Sequence, residues 1–403
     1  MEKVAFLYAT FPRSTETFVR RELKALIDAG CKITAFSLWG GKSNWRNIRI
    51  RKFSKYKLFG LFFWIPFWAM IRSKAFVETL GFMWRQPCPN LQNFNETFLG
   101  LGFALVEARN LQKENFQLVH GVWATMPATA VYAIHRLVDI PFSMGAHAYD
   151  LFRKGGDWLL PLKMEKASFI RTSSKSSAIR LRQFGVSEKK IKLIHRGLDH
   201  FSPRKSFETE SLKRLKLIAV GRLVPKKGYF HMLRIAEGLR ELEIPFELQI
   251  IGDGKLRKKI QNEIHRFKLE NYVRLLGSKR EGDVGTFLHS ADAFLFTGIV
   301  DSAGDRDGIP NVIPEAMDAG CLVISSINAG ASEAFIDGVS GFSLDPEKPR
   351  QWVDLLSEFH QNPESFLRIR KKAMSQVREN FDIKKTASLL SGAIQKTIEN
   401  EAK

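Results

Sequence analysis

Cysteine and long apolar runs are what this chain has least of. Its three cysteines, Cys31, Cys88 and Cys321, stand far apart and none belongs to a Cys-x-x-Cys pair. That argues against a disulfide framework or a zinc site and favours a reducing, cytoplasmic compartment. No stretch reaches the roughly 18 apolar residues that a membrane-spanning helix needs. No secretory signal opens the chain: Met1-Glu2-Lys3 runs straight into the apolar Val4–Tyr8. Helix-turn-helix, zinc-finger and RNA-binding signatures are also missing. Acidic residues are outnumbered, 42 against 62 Lys and Arg, which leaves a formal charge of +20. That excess demands an anionic partner or surroundings, and nucleic acid, acidic lipid and phosphorylated substrate all qualify.

What is present is the composition of a globular protein, 44% hydrophobic and 26% charged over 403 residues, long enough for two domains rather than one. Val4–Thr10 reads as a strand, Thr17–Ala29 as a helix ended by Gly30, and Lys32–Leu38 as a second strand. This spacing predicts a parallel sheet with right-handed crossovers. Leu118–Gly121 and Phe142–Ala146 extend it. The same grammar restarts with Leu215–Val220, a helix near Tyr229–Leu242, and strands at Phe246–Ile251, Ala293–Thr297 and Leu322–Ser326. The expected architecture is α/β, two doubly wound Rossmann-like domains: residues 1–201, a linker over 202–214, 215–380, and a C-terminal helix over 381–403 that packs back on the first domain. Ligands of such sheets bind beyond the carboxyl ends of the strands, so the site is expected in a cleft where the domains face each other.

Residues 42–115 break the pattern and predict a largely helical insertion. Lys42, Arg46, Arg49, Arg51, Lys52, Lys55 and Lys57 come without an acid among them, followed by the apolar, aromatic run Leu58–Ile71 and then Arg72 and Lys74. Two readings stand: a segment that enters an anionic membrane surface, and a helical hairpin buried against the first domain.

The densest motif is Asp305-Arg306-Asp307-Gly308-Ile309-Pro310-Asn311-Val312-Ile313-Pro314-Glu315-Ala316-Met317-Asp318-Ala319-Gly320. A Gly-Pro loop leads into a short helix whose free N–H groups suit phosphate or sugar hydroxyls, with one acid on the loop and another on the helix. Gly221-Arg222-Leu223-Val224-Pro225-Lys226-Lys227-Gly228 follows a strand, and supplies a guanidinium fork and a point charge for phosphate. Gly252-Asp253-Gly254 and Gly277-Ser278-Lys279-Arg280 close two further strands. In the first half, Ser14, Thr15 and Glu16 precede a helix; they either cap it or line the cleft beside donor phosphate or acceptor. His147 lies just past an apolar strand in Ser143–Asp150, and His120 ends another; for His120 a structural and a cleft-facing role are equally open.

The acidic pair in this loop and helix resembles the signature of the retaining glycosyltransferases called family 4, with the two-domain GT-B fold. Asp307 and Glu315 fall on its two acidic positions; the family usually has Glu first, and this chain has the shorter Asp. The resemblance implies that Glu315 holds the nucleotide ribose and that Asp307 lies near the transferred sugar. It also implies that Arg222 and Lys227 bind the donor diphosphate, with Gly252, Arg280, Gly308, Ile309, Asn311 and Val312 around the donor. His147 is implied to hydrogen-bond the sugar. Phe11–Leu23 resembles the opening of capsule, colanic-acid-like and lipopolysaccharide transferases.

The expected activity is therefore retaining, metal-independent transfer from a UDP- or GDP-sugar to a lipid-linked or saccharide acceptor, at the inner face of a membrane. No cofactor beyond the donor substrate and no nucleic-acid partner are expected. Asp305-Arg306-Asp307 also matches an Asp-x-Asp metal motif, but its Gly-Ile-Pro context favours the metal-free reading. The competing readings are a non-catalytic sugar-nucleotide-binding homologue and a basic nucleic-acid-binding protein.

Overall fold

A computed structural model describes residues 3–13, 16–153, 156–201, 207 and 212–401. The chain divides into two compact units, residues 1–197 with 383–403, and residues 198–382.

The first unit holds eight strands: β1 (Lys3–Tyr8), β2 (Lys32–Ser37), β3 (Asn44–Trp45), β4 (Ile48–Lys52), β5 (Leu118–Gly121), β6 (Phe142–Gly145), β7 (Phe169–Thr172) and β8 (Ile191–Leu193). Their order is β3-β4-β2-β1-β5-β6-β7-β8, parallel throughout except for the β3–β4 pair. The inner strands β1, β5, β6 and β7 are buried almost end to end, as a sheet covered on both faces requires. Helix Thr17–Asp28 buries Val19, Leu23 and Leu26, one stripe at helical spacing. Helix Ile383–Glu401 returns to the same core through Ala387, Leu390, Ile394 and Ile398.

The segment 42–115 is not one helical insertion. Its basic start is a hairpin: β3 pairs antiparallel with β4, and β4 adds to the sheet parallel to β2. Only Ile50 of β4 turns inward while Arg49 and Arg51 stay outside, the alternation of an edge strand. Helix Leu91–Lys113 is part of the core, contributing Phe103, Ala104, Ala108 and Leu111. It lies so close to helix Met126–Val138 that a Cβ on Gly100 would meet the Met126 carbonyl at 2.7 Å. Between these pieces, helices Leu61–Ile71 and Ser73–Arg85 are anchored by Trp68, whose indole donates to the Leu105 carbonyl at 2.8 Å. Their other faces leave Phe62, Phe63 and Met70, and Val77, Leu80 and Trp84, exposed to solvent, as is Phe59 in the 3-10 turn Lys55–Gly60 just before them. Among the described residues no helix is long and apolar enough to cross a membrane.

The second unit holds β9 (Leu215–Val220), β10 (Phe246–Ile251), β11 (Val273–Gly277), β12 (Ala293–Phe296), β13 (Leu322–Ser326) and β14 (Phe342–Leu344). All pair in parallel, in the order β11-β10-β9-β12-β13-β14. The order reverses between β9 and β12, so the loops after these two strands flank the crevice in which such sheets place ligands.

Candidate functional site

In the second unit three glycine-containing loops meet beyond the strand ends. Gly221 donates to the Ile251 carbonyl, Leu223 to Asp253, and Leu256 back to Leu223, at 2.9–3.0 Å. Gly252, at φ +142°, lies so near Gly221 that a Cβ would fall 1.9 Å from its carbonyl oxygen. This packing requires glycine and leaves bare backbone where a ligand can approach. Pro225–Lys227 forms one 3-10 turn, closed by Gly228 at φ +66° against the carbonyl of Thr297.

That turn delivers Lys226 and Lys227 to Asp307. Lys227 Nζ lies 2.8 Å from one Asp307 oxygen and Lys226 Nζ 3.3 Å from the other; Lys226 also meets Asp305 at 3.0 Å. Burial alone would raise the Asp307 carboxyl, but Lys227 and then Lys226 outweigh it and hold it below its ordinary range. Asp307 is therefore ionised, between two ammonium groups. Helix Val312–Asp318 starts just beyond Pro310, with Asn311 as its cap residue and Glu315 half-buried in its first turn. Gly308 is buried; Ile309 and Val312 are half-buried. Arg222 is exposed, and Arg280, exposed too, pairs with Asp283 at 3.1 Å.

In the first unit, residues following β1, β6 and β8 converge with one on β7. His147 is only 5% exposed. Its backbone N–H donates to the Asp150 carboxylate at 3.1–3.2 Å, and its carbonyl accepts from the Ser177 hydroxyl. Arg196 Nη2 lies 3.0 Å from His147 Nε2 and Arg171 Nη1 lies 3.5 Å from it. Glu22 bridges the two guanidiniums, 2.6 Å from Arg196 and 2.9 Å from Arg171. Burial, with Arg196 next, pushes the His147 imidazole well below its ordinary value. Glu22 is raised by burial but lowered more by Arg171 and Arg196, and so stays ionised.

His120 is enclosed within the first unit. It is 3% exposed, its Nδ1 lies 2.8 Å from the Ser143 hydroxyl, and its ring packs on Phe6 at 4.7 Å. Burial lowers it to about 3, which keeps it neutral. Glu16 is the cap residue of helix Thr17–Asp28 but makes no side-chain cap bond; it pairs with Arg13 at 3.2 Å. Ser14 and Thr15 lie outside the described residues.

Sequence reasoning gave no role to Glu22, Arg171, Arg196 or Lys226, and considered Asp305 only as part of an Asp-x-Asp metal motif. An arginine inside the buried strand Phe169–Thr172 was the available signal, since a charge there requires a partner.

The profile described as Glycosyl transferases group 1 matches residues 202–376, and the one described as Glycosyltransferase Family 4 matches residues 15–200. A protein of Escherichia coli K12 assigned as the colanic acid biosynthesis glycosyltransferase WcaL is 26% identical over 94% of this chain and 96% of its own. A Campylobacter jejuni N-acetylgalactosaminyltransferase, named as acting on N-acetylgalactosamine-N,N'-diacetylbacillosaminyl-diphospho-undecaprenol, is 29% identical over 47% of this chain and 49% of its own. Anabaena HepE, solved in complex with UDP, superposes with a TM-score of 0.71 at 16% identity, covering 98% of this chain and all of that one.

Proposed function

The chain belongs to the group 1 and family 4 glycosyltransferases, as a hexosyltransferase-class enzyme with two parallel-sheet units of GT-B type, and on that premise we propose a specific reaction. It moves a sugar from a UDP- or GDP-sugar to a lipid-linked or saccharide acceptor, with retention of configuration and without a metal, in exopolysaccharide or lipopolysaccharide assembly. The observation that carries this reading is the Lys226–Lys227–Asp307 cluster beside the glycine-bare loops after β9 and β10. Two ammonium groups gathered there neutralise charge on a departing nucleoside diphosphate, as a divalent cation would elsewhere. Asp307, on the same cluster, orients a sugar hydroxyl. Arg222 adds a forked donor for phosphate and Glu315 an acceptor for ribose hydroxyls. Gly252, Gly308, Ile309, Asn311, Val312 and Arg280 border the donor.

The acceptor hydroxyl attacks the anomeric carbon on the face the phosphate leaves, and the leaving phosphate accepts its proton. No covalent enzyme nucleophile is required. His147 binds the transferred sugar, with Ser14, Thr15 and Glu16 toward the acceptor. The acceptor's lipid would be met at an anionic membrane surface. Support comes from the exposed Phe59, Phe62, Phe63, Met70 and Trp84, with Arg72 between the two helices and Lys74 in the first turn of the second, and from the colanic acid biosynthesis named for one relative and the diphospho-undecaprenol acceptor named for another.

A thermal-shift and donor-consumption screen of UDP-, GDP- and ADP-sugars, with and without EDTA, tests the reading. One donor should stabilise the enzyme and be consumed equally in EDTA, and Arg222→Ala and Glu315→Ala should lose both effects. Variants that bind and consume every donor as the parent does would refute it.

A further inference from the structure

We infer that Glu22, Arg171 and Arg196 are positioning residues that hold His147 as the neutral tautomer protonated on Nδ1, presenting that N–H to a hydroxyl of the sugar substrate. The inference rests on the reading that His147 meets the substrate. Its core is a donor count. A guanidinium has N–H donors and no acceptor. Arg196 at 3.0 Å and Arg171 at 3.5 Å both face Nε2 of the imidazole, so Nε2 must receive with its lone pair. The single proton of the neutral ring is then on Nδ1. A protonated ring would put a third cation beside two guanidiniums that share one carboxylate.

Nothing in the fold uses the proton so placed. His147 Nδ1 is buried and has no hydrogen-bond partner among the described residues. A buried N–H without an acceptor is unfavourable, and such groups are uncommon unless a ligand completes them. Everything else about the residue is fixed. Asp150 and Ser177 hold its backbone, and Trp123 stands edge-on to the ring at 5.4 Å. Arg196 is held in turn by Glu22 at 2.6 Å and by the faces of Phe18 at 5.0 Å and Trp123 at 5.6 Å. A network serving stability alone has no need to leave the imidazole one unmatched donor. Among the described residues, the other titratable groups around the cluster are Tyr8 on β1, His120 on β5, Asp150 beyond β6, and His195, next to Arg196, whose carbonyl accepts from Arg171.

The test combines 15N-histidine NMR of the full-length enzyme from pH 5.5 to 8 with kcat and KM on the donor that it consumes. The parent should show His147 neutral and protonated on Nδ1 throughout. Arg196→Met should lose that pure tautomer and about tenfold to a hundredfold in kcat, with donor KM nearly unchanged. Arg196→Lys, which restores one donor, should recover part of both. A parent His147 protonated on Nε2, or titrating near its ordinary value, overturns the inference even if no variant folds. So does Arg196→Met with parental tautomer and kcat. A fully active His147→Ala enzyme removes the substrate contact whatever the tautomer. A parent that consumes no nucleotide sugar sinks the proposed reaction while the NMR result still decides the tautomer.

Discussion

Gly228→Ala is the substitution whose consequence the structure states most sharply. Gly228 sits at φ +66°, between Lys227 and helix Tyr229–Glu241, and a Cβ there would lie 1.8 Å from the Thr297 carbonyl oxygen. Carbon–oxygen contacts settle at about 3.3–3.6 Å, so the turn and the end of β12 must separate by about 1.5 Å. The left-handed backbone costs about 1–2 kcal/mol for a residue with a Cβ, and forcing an extra carbon into packed surroundings about 1–3 kcal/mol. Together they remove about 2–5 kcal/mol from the second unit, or about 10 °C in its melting temperature. The same displacement moves Lys227 away from Asp307, so donor affinity should fall along with stability. Differential scanning calorimetry with and without donor measures both. Gly285→Ala is the control: it lies inside helix Glu281–Ser290, where a Cβ meets nothing within 4 Å. It should raise stability by about 0.5–1 kcal/mol. A Gly228→Ala enzyme that melts and binds donor like the parent would refute the reasoning.

Three further outcomes follow from other parts of the fold. Lys163 and Asp157 form an ion pair that is 0% and 1% exposed, with Lys163 also donating to Thr129 at 3.2 Å. Lys163→Met alone should therefore cost about 3–5 kcal/mol in denaturant unfolding, while Lys163→Met with Asp157→Leu should recover most of it. Glu114 grips Arg51 through two oxygens and Lys3 through one; the Arg51 bonds are the main reason that its carboxyl falls to about 2. Because the folded value is depressed, its stabilisation is complete only above the ordinary carboxyl value of 4.5 and disappears as pH falls from there toward 2. A 13C titration should give that value, and Arg51→Met should return it toward the ordinary one. Phe62, Phe63 and Trp84 are 81%, 73% and 92% exposed, so their joint replacement by Ser should leave melting unchanged. It should lower binding to anionic vesicles at least tenfold, since inserting one large side chain contributes about 1.5–3 kcal/mol; unchanged co-sedimentation would refute lipid contact.

The parallel strands could be read from the sequence because burial on both faces makes them continuous apolar runs. Val4–Tyr8, Leu215–Val220 and Phe246–Ile251 need no partner to be recognised. The hairpin β3–β4 could not be read that way. Its two short strands carry Arg49 and Arg51 outward and bury little beyond Ile50, so a period of two had almost no apolar residues on which to show. β7 was hidden for the opposite reason: Arg171 interrupts its apolar run, and the Glu22 that makes this tolerable lies far away in sequence. Helix Leu91–Lys113 looked like part of an insertion because Gly100 and Gly102, which let it approach its neighbours, weaken a helical pattern.

The candidate site divides along the same line. Glycines in loops after strands and charged residues beside them are local features, so the motifs holding Lys227, Gly252 and Asp307 stand out in the sequence, and the resemblance implies their place beside the donor. Pairing is not local. Asp307 and Glu22, one in each unit, are each gripped by two cations, and neither grip is visible in sequence. The two grips differ in a way that bears on function. Lysine ammonium groups are compact, single-point charges on flexible stems, so Lys226 and Lys227 can turn from Asp307 to an arriving phosphate without rebuilding the loop. Arg171 and Arg196 are planar forks whose donors are divided among Glu22, one imidazole nitrogen and, for Arg171, the His195 carbonyl, and they cannot leave one without disturbing the others. Exchangeable charge thus lies in the second unit, beside the loops proposed for the nucleotide, and fixed charge in the first, around the histidine proposed for the sugar. That division suits a reaction in which one partner departs as an anion while the other must be held still.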